Sequence, residues 1–182
     1  MSNKLKQGIK IAISGKSGCG NSSVSSLVAG DLGLSLINYT FKDMARERGI
    51  SFEKFHDMAQ QDLSYDIELD KKQVEMASKG DCVLGSRLAI WVLKDADLKV
   101  YLEASLEARA QRIMKREGGS LEEQIMATRK RDSRDRDRYM RLYQIDNDEY
   151  SFADMIIDTD TSSQHEVADM IIREVHSRYM VD

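Results

Sequence analysis

The sequence predicts an α/β fold in which a parallel sheet is covered by helices on both faces. Three observations point there. Five short apolar runs alternate with stretches of helical periodicity. A glycine-dense loop joins the first run directly to the first helix, as in a βα unit. No internal repeat or low-complexity linker interrupts the pattern. Length agrees, since 182 residues of which 41% are hydrophobic suffice for one domain with a three-layer core.

Each element has its own warrant. Ile9-Lys10-Ile11-Ala12-Ile13 is the first strand, and Val24, Leu27 and Val28 at i, i+3 and i+4 mark the first helix, which ends near Gly33. Residues 34–37 form the second strand. Phe41 to Arg48 reads as a helix stopped by Gly49. Ser51 with Glu53 opens another helix, whose apolar stripe is Phe52, Phe55 and Met58. A third runs from about Tyr65 to Lys79 and carries Asp66, Asp70 and Gln73. Three helices without an intervening strand predict a lobe beside the sheet.

The third strand is Cys82-Val83-Leu84 and the fourth spans 98–102. In the helix at 106–116, Leu106, Ala110 and Ile113 make one face, while Arg109, Arg112 and Arg116 line its neighbour. Gly118-Gly119 breaks it, and a long polar helix follows from Leu121 to about Tyr143. Residues 154–158 are the fifth strand. Val167, Met170, Ile171 and Val175 mark the last helix.

Composition narrows the function classes. A net charge of −4 argues against general affinity for nucleic acid or membranes. Basic residues nonetheless outnumber acidic ones between Arg109 and Arg141, which fits a local anion site. Cys19 and Cys82 lie outside any metal or redox spacing and read as reduced thiols of a cytoplasmic protein. His56, His165 and His176 form no ligand pattern and read as solvated helix positions. No apolar run approaches the ~18 residues of a membrane span or resembles a leader.

The loop Gly15-Lys16-Ser17-Gly18-Cys19-Gly20-Asn21-Ser22-Ser23 lies between a strand and a helix, where a glycine loop becomes a phosphate cradle. Small residues let backbone N–H groups turn inward, toward the positive end of the helix dipole. Ser22 stands where such a loop places the hydroxyl that holds Mg²⁺. Asn21 occupies the usual lysine position and donates without charge, and Lys16 is a possible substitute. The plainer reading is a βα turn without a ligand.

Other residues fit an anion site. Arg87 follows the third strand, where residues of an open parallel sheet line the ligand crevice; a surface arginine capping a turn is the bland reading. Trp91 reads as core packing. Arg131, Asp135 and Arg138 at i, i+4 and i+7 share one helix face, whereas Arg134, Arg136 and Arg141 read as a solvated one. Two arginine-rich faces joined by Gly-Gly suggest a hinged cover over phosphates.

Four stretches together give the chain a resemblance: the loop at 15–23; Phe41-Lys42 with Ala45-Arg46-Glu47-Arg48-Gly49; Val83-Leu84-Gly85-Ser86-Arg87-Leu88-Ala89 with Trp91; and Arg131-Asp132-Ser133-Arg134-Asp135-Arg136-Asp137-Arg138. In this the chain resembles the nucleoside monophosphate kinases, specifically cytidylate kinases of the short, archaeal-like type, which also lack the loop lysine. The resemblance implies a P-loop kinase fold with sheet order 2-3-1-4-5, a monophosphate-binding lobe at about 38–80 and a mobile lid at about 112–130. It implies Mg²⁺-assisted transfer of the ATP γ-phosphoryl group to CMP or dCMP by a monomer with no nucleic-acid or membrane partner. The loop 15–23 would hold ATP, with Ser22 on the metal. Arg87, Arg131 and Arg138 would grip the acceptor phosphate and Asp135 the ribose, while Arg112 and Arg116 reach in from the lid.

Two positions depart from the family pattern. Lys42 replaces an acceptor-phosphate arginine, with Arg46 one turn on, and Gly85 stands where relatives often carry an acidic residue. Asp66 and Asp70 are candidates to accept the exocyclic amine of cytosine, or are salt-bridged lobe residues. The open alternatives are a kinase for another nucleotide or small metabolite, and a catalytically silent nucleotide-binding module. RNA binding by the 129–141 run is opposed by its interleaved aspartates and lack of stacking aromatics.

Overall fold

A computed structural model describes residues 4–181. The chain begins with β1 (Lys4–Leu5), β2 (Lys10–Gly15), α1 (Asn21–Leu32) and β3 (Ser35–Ile37), then α2 (Phe41–Glu47), α3 (Phe52–Gln61) and α4 (Ser64–Ala77). β4 (Cys82–Gly85), α5 (Ala89–Val92), β5 (Leu98–Glu103), α6 (Leu106–Glu117) and α7 (Leu121–Tyr143) follow. β6 (Met155–Asp158), α8 (Gln164–Tyr179) and β7 (Met180–Val181) complete it.

Five strands form one parallel sheet in the order β3-β4-β2-β5-β6. Counted along the chain, these sheet strands run 2-3-1-4-5, the order expected above. β2 is central, with Ile11 beside Val83 of β4 and Leu98 of β5. Because both faces are covered, β2 reads as a continuous apolar run rather than an alternating one. Side chains still alternate between the two layers. Ile11 and Ile13 pack with Val24 and Val28 of α1 and with Val167, Ile171 and Val175 of α8. Ala12 packs on the opposite face with Ala77 of α4, Ile90 of α5 and Tyr101 of β5.

The three helices α2–α4 form the lobe, which has its own small core of Met44, Ala45, Phe55 and Ala59. Phe55 is fully buried, with the Phe41 and Tyr65 rings 5.7 and 5.1 Å from it. Arg48 lies 5.1 Å from both the Phe55 and Tyr65 rings. Strand and helix ends differ from expectation by one or two residues, since terminal turns carry little periodic signal. β1 and β7 pair as a small antiparallel ribbon that the sequence did not announce, because two-residue strands have no period to read. Trp91 packs edge-on to Tyr101 and Phe152. All three histidines are exposed on helices. No helix among the described residues is long and apolar enough to cross a membrane.

Phe55→Ala should cost about 3 kcal/mol, as for other buried phenylalanines. Urea unfolding measures it, and hydrogen exchange should place the earliest opening in α2 and α3.

Candidate active site

The glycine loop runs from the carboxyl end of β2 to the first turn of α1. Elsewhere serine side chains cap helix starts: Ser51, Ser105, Ser120 and Ser163 each accept a backbone N–H of α3, α6, α7 and α8. α1 starts at Gly20 in the left-handed region (φ 93°) with no side-chain cap and no acidic residue in its first turn. Its leading N–H groups are thus left for an anion. Ser22 and Ser23 are exposed there.

Helices α6 and α7 are fastened to this loop. Arg109 is buried; it donates to the Ser17 carbonyl at 3.2 Å and forks onto both Asp132 oxygens at 3.0 and 2.7 Å. Gly18 (φ 88°) lies against it, and a β-carbon there would stand 2.9 Å from Arg109 Cβ. Arg112 donates to the Gly18 carbonyl at 3.2 Å, to Thr159 Oγ1 at 3.0 Å and to the Thr159 carbonyl. Arg131 donates to Ser17 Oγ at 2.8 Å. Lys16 pairs with Asp148 at 2.5 Å.

One turn beyond Arg131 lies a second cluster. Asp135, buried, accepts from Arg87 at 2.6 Å through one oxygen and from Arg138 at 2.8 Å through the other. Arg138 also pairs with Asp66 at 3.3 Å. Burial pushes the Asp66 carboxyl up against the pull of Arg138. Asp70 accepts from Tyr143 at 2.6 Å, yet burial raises its pKa to about 6. Gln73 donates to the Tyr39 carbonyl at 2.8 Å, leaving its own Oε1, like Asp66 Oδ2, buried without a partner.

Arg87, Arg131, Asp135, Arg138, Asp66 and Asp70 are therefore brought to one face of α7. Both oxygens of Asp135, expected at a ribose, are engaged by arginines. Three of the expected residues have other partners. Lys42 lies 5.5 Å over the Phe52 ring, Arg46 pairs with Asp43 and is largely exposed, and Arg116 pairs with its neighbour Glu117. The residues that sequence reading passed over are mostly partners. Asp132 and Asp148 lay inside charge-rich runs, Thr159 in a turn, and Tyr143 meets Asp70 from 73 residues away. Arg109 did carry a signal, the arginine face of α6.

A cleft of about 360 Å³ opens beside the loop at the carboxyl ends of β5 and β6, lined by Lys16, Arg109, Tyr150 and Asp160 among others. A depression of about 440 Å³ on the outer face of α4 has mixed charge and none of the arginines above, so chemistry rather than size locates the site.

Residues 10–161 match the model of the cytidylate kinase-like family. The chain belongs to that family. It is 47% identical over 174 residues to cytidylate kinase 2 of Borrelia garinii subsp. bavariensis, covering 93% of this chain and 98% of that one. It is 40% identical over 156 residues to the cytidylate kinase of Pyrococcus horikoshii, covering 85% and 81%. Among solved structures it resembles the shikimate kinase of Bacteroides thetaiotaomicron at a TM-score of 0.62, 13% identity and coverage of 93% and 98%. That likeness is one of fold, the P-loop kinase arrangement of this family.

Two outcomes test the site. Asp132→Ala strands the Arg109 charge and should cost about 3 kcal/mol in urea unfolding, with Asp132→Asn milder. Asp70 titrates in the folded protein near 6 but from an unfolded value of 3.8. Between those values the folded state holds the extra proton, so stability falls as pH rises through that window. Asp70→Asn should flatten that part of a plot of unfolding free energy against pH.

Proposed function

We propose that the protein transfers the γ-phosphoryl group of ATP to CMP or dCMP, giving ADP and the cytidine diphosphate. One observation carries the reading. Arg87 from beyond β4 and Arg138 from α7 meet on Asp135, one turn from Arg131, which reaches the glycine loop. A phosphate held by the first pair would adjoin one held by the loop.

Such a transfer needs alignment and positive charge rather than a base, because the acceptor phosphate oxygen is already ionised. Asp135 holds two guanidinium forks in place while leaving them further N–H donors for a phosphate. The backbone amides of 15–23 and the start of α1 bind the donor's tail. Mg²⁺, which keeps water and phosphate oxygens as most of its ligands, would spread the negative charge of the donor phosphates. Ser22, exposed on the first turn of α1, suits it as the protein ligand.

Residues 38–80 act as the acceptor lobe and 112–130 as the lid. Arg112 and Arg131 tie the lid's two roots to the loop, so its motion centres on the tip at Gly118-Gly119, with Arg116 nearby. Lys42 and Arg46 approach the acceptor when the lobe closes. The base fits too: Asp66, Asp70 and Gln73 offer acceptors, two of them buried and unpartnered. Cytosine presents an amine donor to such a surface, whereas uracil presents a carbonyl.

Coupled ADP release with ATP, Mg²⁺ and a panel of CMP, dCMP, UMP and AMP should favour the cytidine nucleotides. Arg87→Ala should raise the KM for CMP by about 30-fold, the loss of a charged hydrogen bond, and leave that for ATP nearly unchanged. Equal effects on both, or no turnover with any acceptor despite ATP binding, would overturn the assignment.

A further inference from the structure

Two positions, a neutral Asn21 where phosphate-binding loops usually carry lysine and a bare Gly85 at the end of β4, meet at one residue. Ser25, on α1 one turn after Asn21, is fully buried. Its hydroxyl donates to Asn21 Oδ1 at 3.1 Å. A β-carbon built on Gly85 would stand 2.5 Å from Ser25 Oγ, 2.8 Å from Ser25 Cβ and 3.5 Å from Asn21 Oδ1. Ser25 therefore fills the space that a side chain at 85 would need. Glycine at 85 is not required by its backbone angle, since only its missing side chain matters there.

We propose that Ser25 is a positioning residue of the donor site, and that Asn21, Ser25 and Gly85 form one packed set. The Ser25 proton fixes which way the Asn21 carboxamide faces. With the oxygen turned inward to Ser25, the Nδ2 amine is left for the loop's ligand, and it has no hydrogen-bond partner among the described residues. Turning the amide over would spend an Nδ2 proton on Ser25 Oγ and present a carbonyl oxygen to phosphates, which is unfavourable. A neutral donor held rigidly stands in for a mobile charged one, because fixed dipoles aimed at developing charge need no reorganisation. The same packing excludes an acidic side chain from position 85, so β4 contributes no carboxylate to the water shell of a metal held by Ser22.

This rests on the donor role proposed for the glycine loop. A double-mutant cycle on the full chain tests it, read in kcat with CMP and in ATP affinity by calorimetry. Asn21→Ala should lower kcat about 100-fold, as for loss of an oxyanion donor. Ser25→Ala should lower it about 10-fold, as for loss of a supporting partner. The pair together should match Asn21→Ala alone, because Ser25 acts only through Asn21. Gly85→Ala, which displaces the Ser25 hydroxyl, should repeat the Ser25→Ala loss and likewise add nothing to Asn21→Ala. Melting temperatures separate these effects from unfolding. Additive losses in either measurement, or a Ser25→Ala protein with unchanged kcat and ATP affinity, would overturn the proposal. A wild-type protein that binds ATP but ignores CMP sinks the acceptor assignment alone, and the cycle is then decided by ATP affinity. A wild-type protein that binds no ATP overturns both.

Discussion

A buried guanidinium holds the site together. Arg109 lies between α6, α7 and the glycine loop, and its charge is matched by the fork onto Asp132 and by the Ser17 carbonyl. Burial works against that charge, but Asp132 holds the Arg109 pKa above its ordinary value. A charge so placed cannot lose its partner cheaply. The pair therefore fixes where α7 stands relative to the loop, and with it Arg131, Asp135 and Arg138, which follow along one helix face. The spacing between the glycine loop and the Arg87–Asp135–Arg138 cluster rests on this ion pair.

The rest of the molecule divides into parts that hold and parts that give. The sheet is continuous through its covered core, and the loop emerges from its central strand. The lobe has a separate core and joins the sheet mainly through α4. That partition suits the phosphoryl transfer proposed above, in which a second nucleotide is admitted and water then excluded. Ion pairing preorganises the candidate site. Arg87, Arg138, Asp135 and Asp66 hold one another in place through ion pairs, so the charges are arranged in advance.

Much of this was legible in the chain because it is local. The strand–loop–helix signal at 9–28 needs only neighbouring residues. The shared face of Arg131, Asp135 and Arg138 follows from helical spacing alone. The sheet order came from resemblance rather than from any residue pattern, since periodicity marks a strand without naming its neighbours. The lobe was visible as helices in succession, yet its aromatic centre at Phe55, with Arg48 over two rings, was not.

What the sequence determined by itself was which residues could do the chemistry: a phosphate cradle, a set of arginines and carboxylates at usable spacing, and no membrane-length apolar run. Tertiary structure decided which partners each of them meets. Lys16, the possible substitute for the missing loop charge, pairs with Asp148. Arg112, expected in the lid, joins Gly18 to Thr159, and Ser25 fills the space beside Gly85. Each of these depends on partners far apart in the chain. A hydrogen bond or ion pair is chosen by distance and burial, and those exist only once the chain has folded.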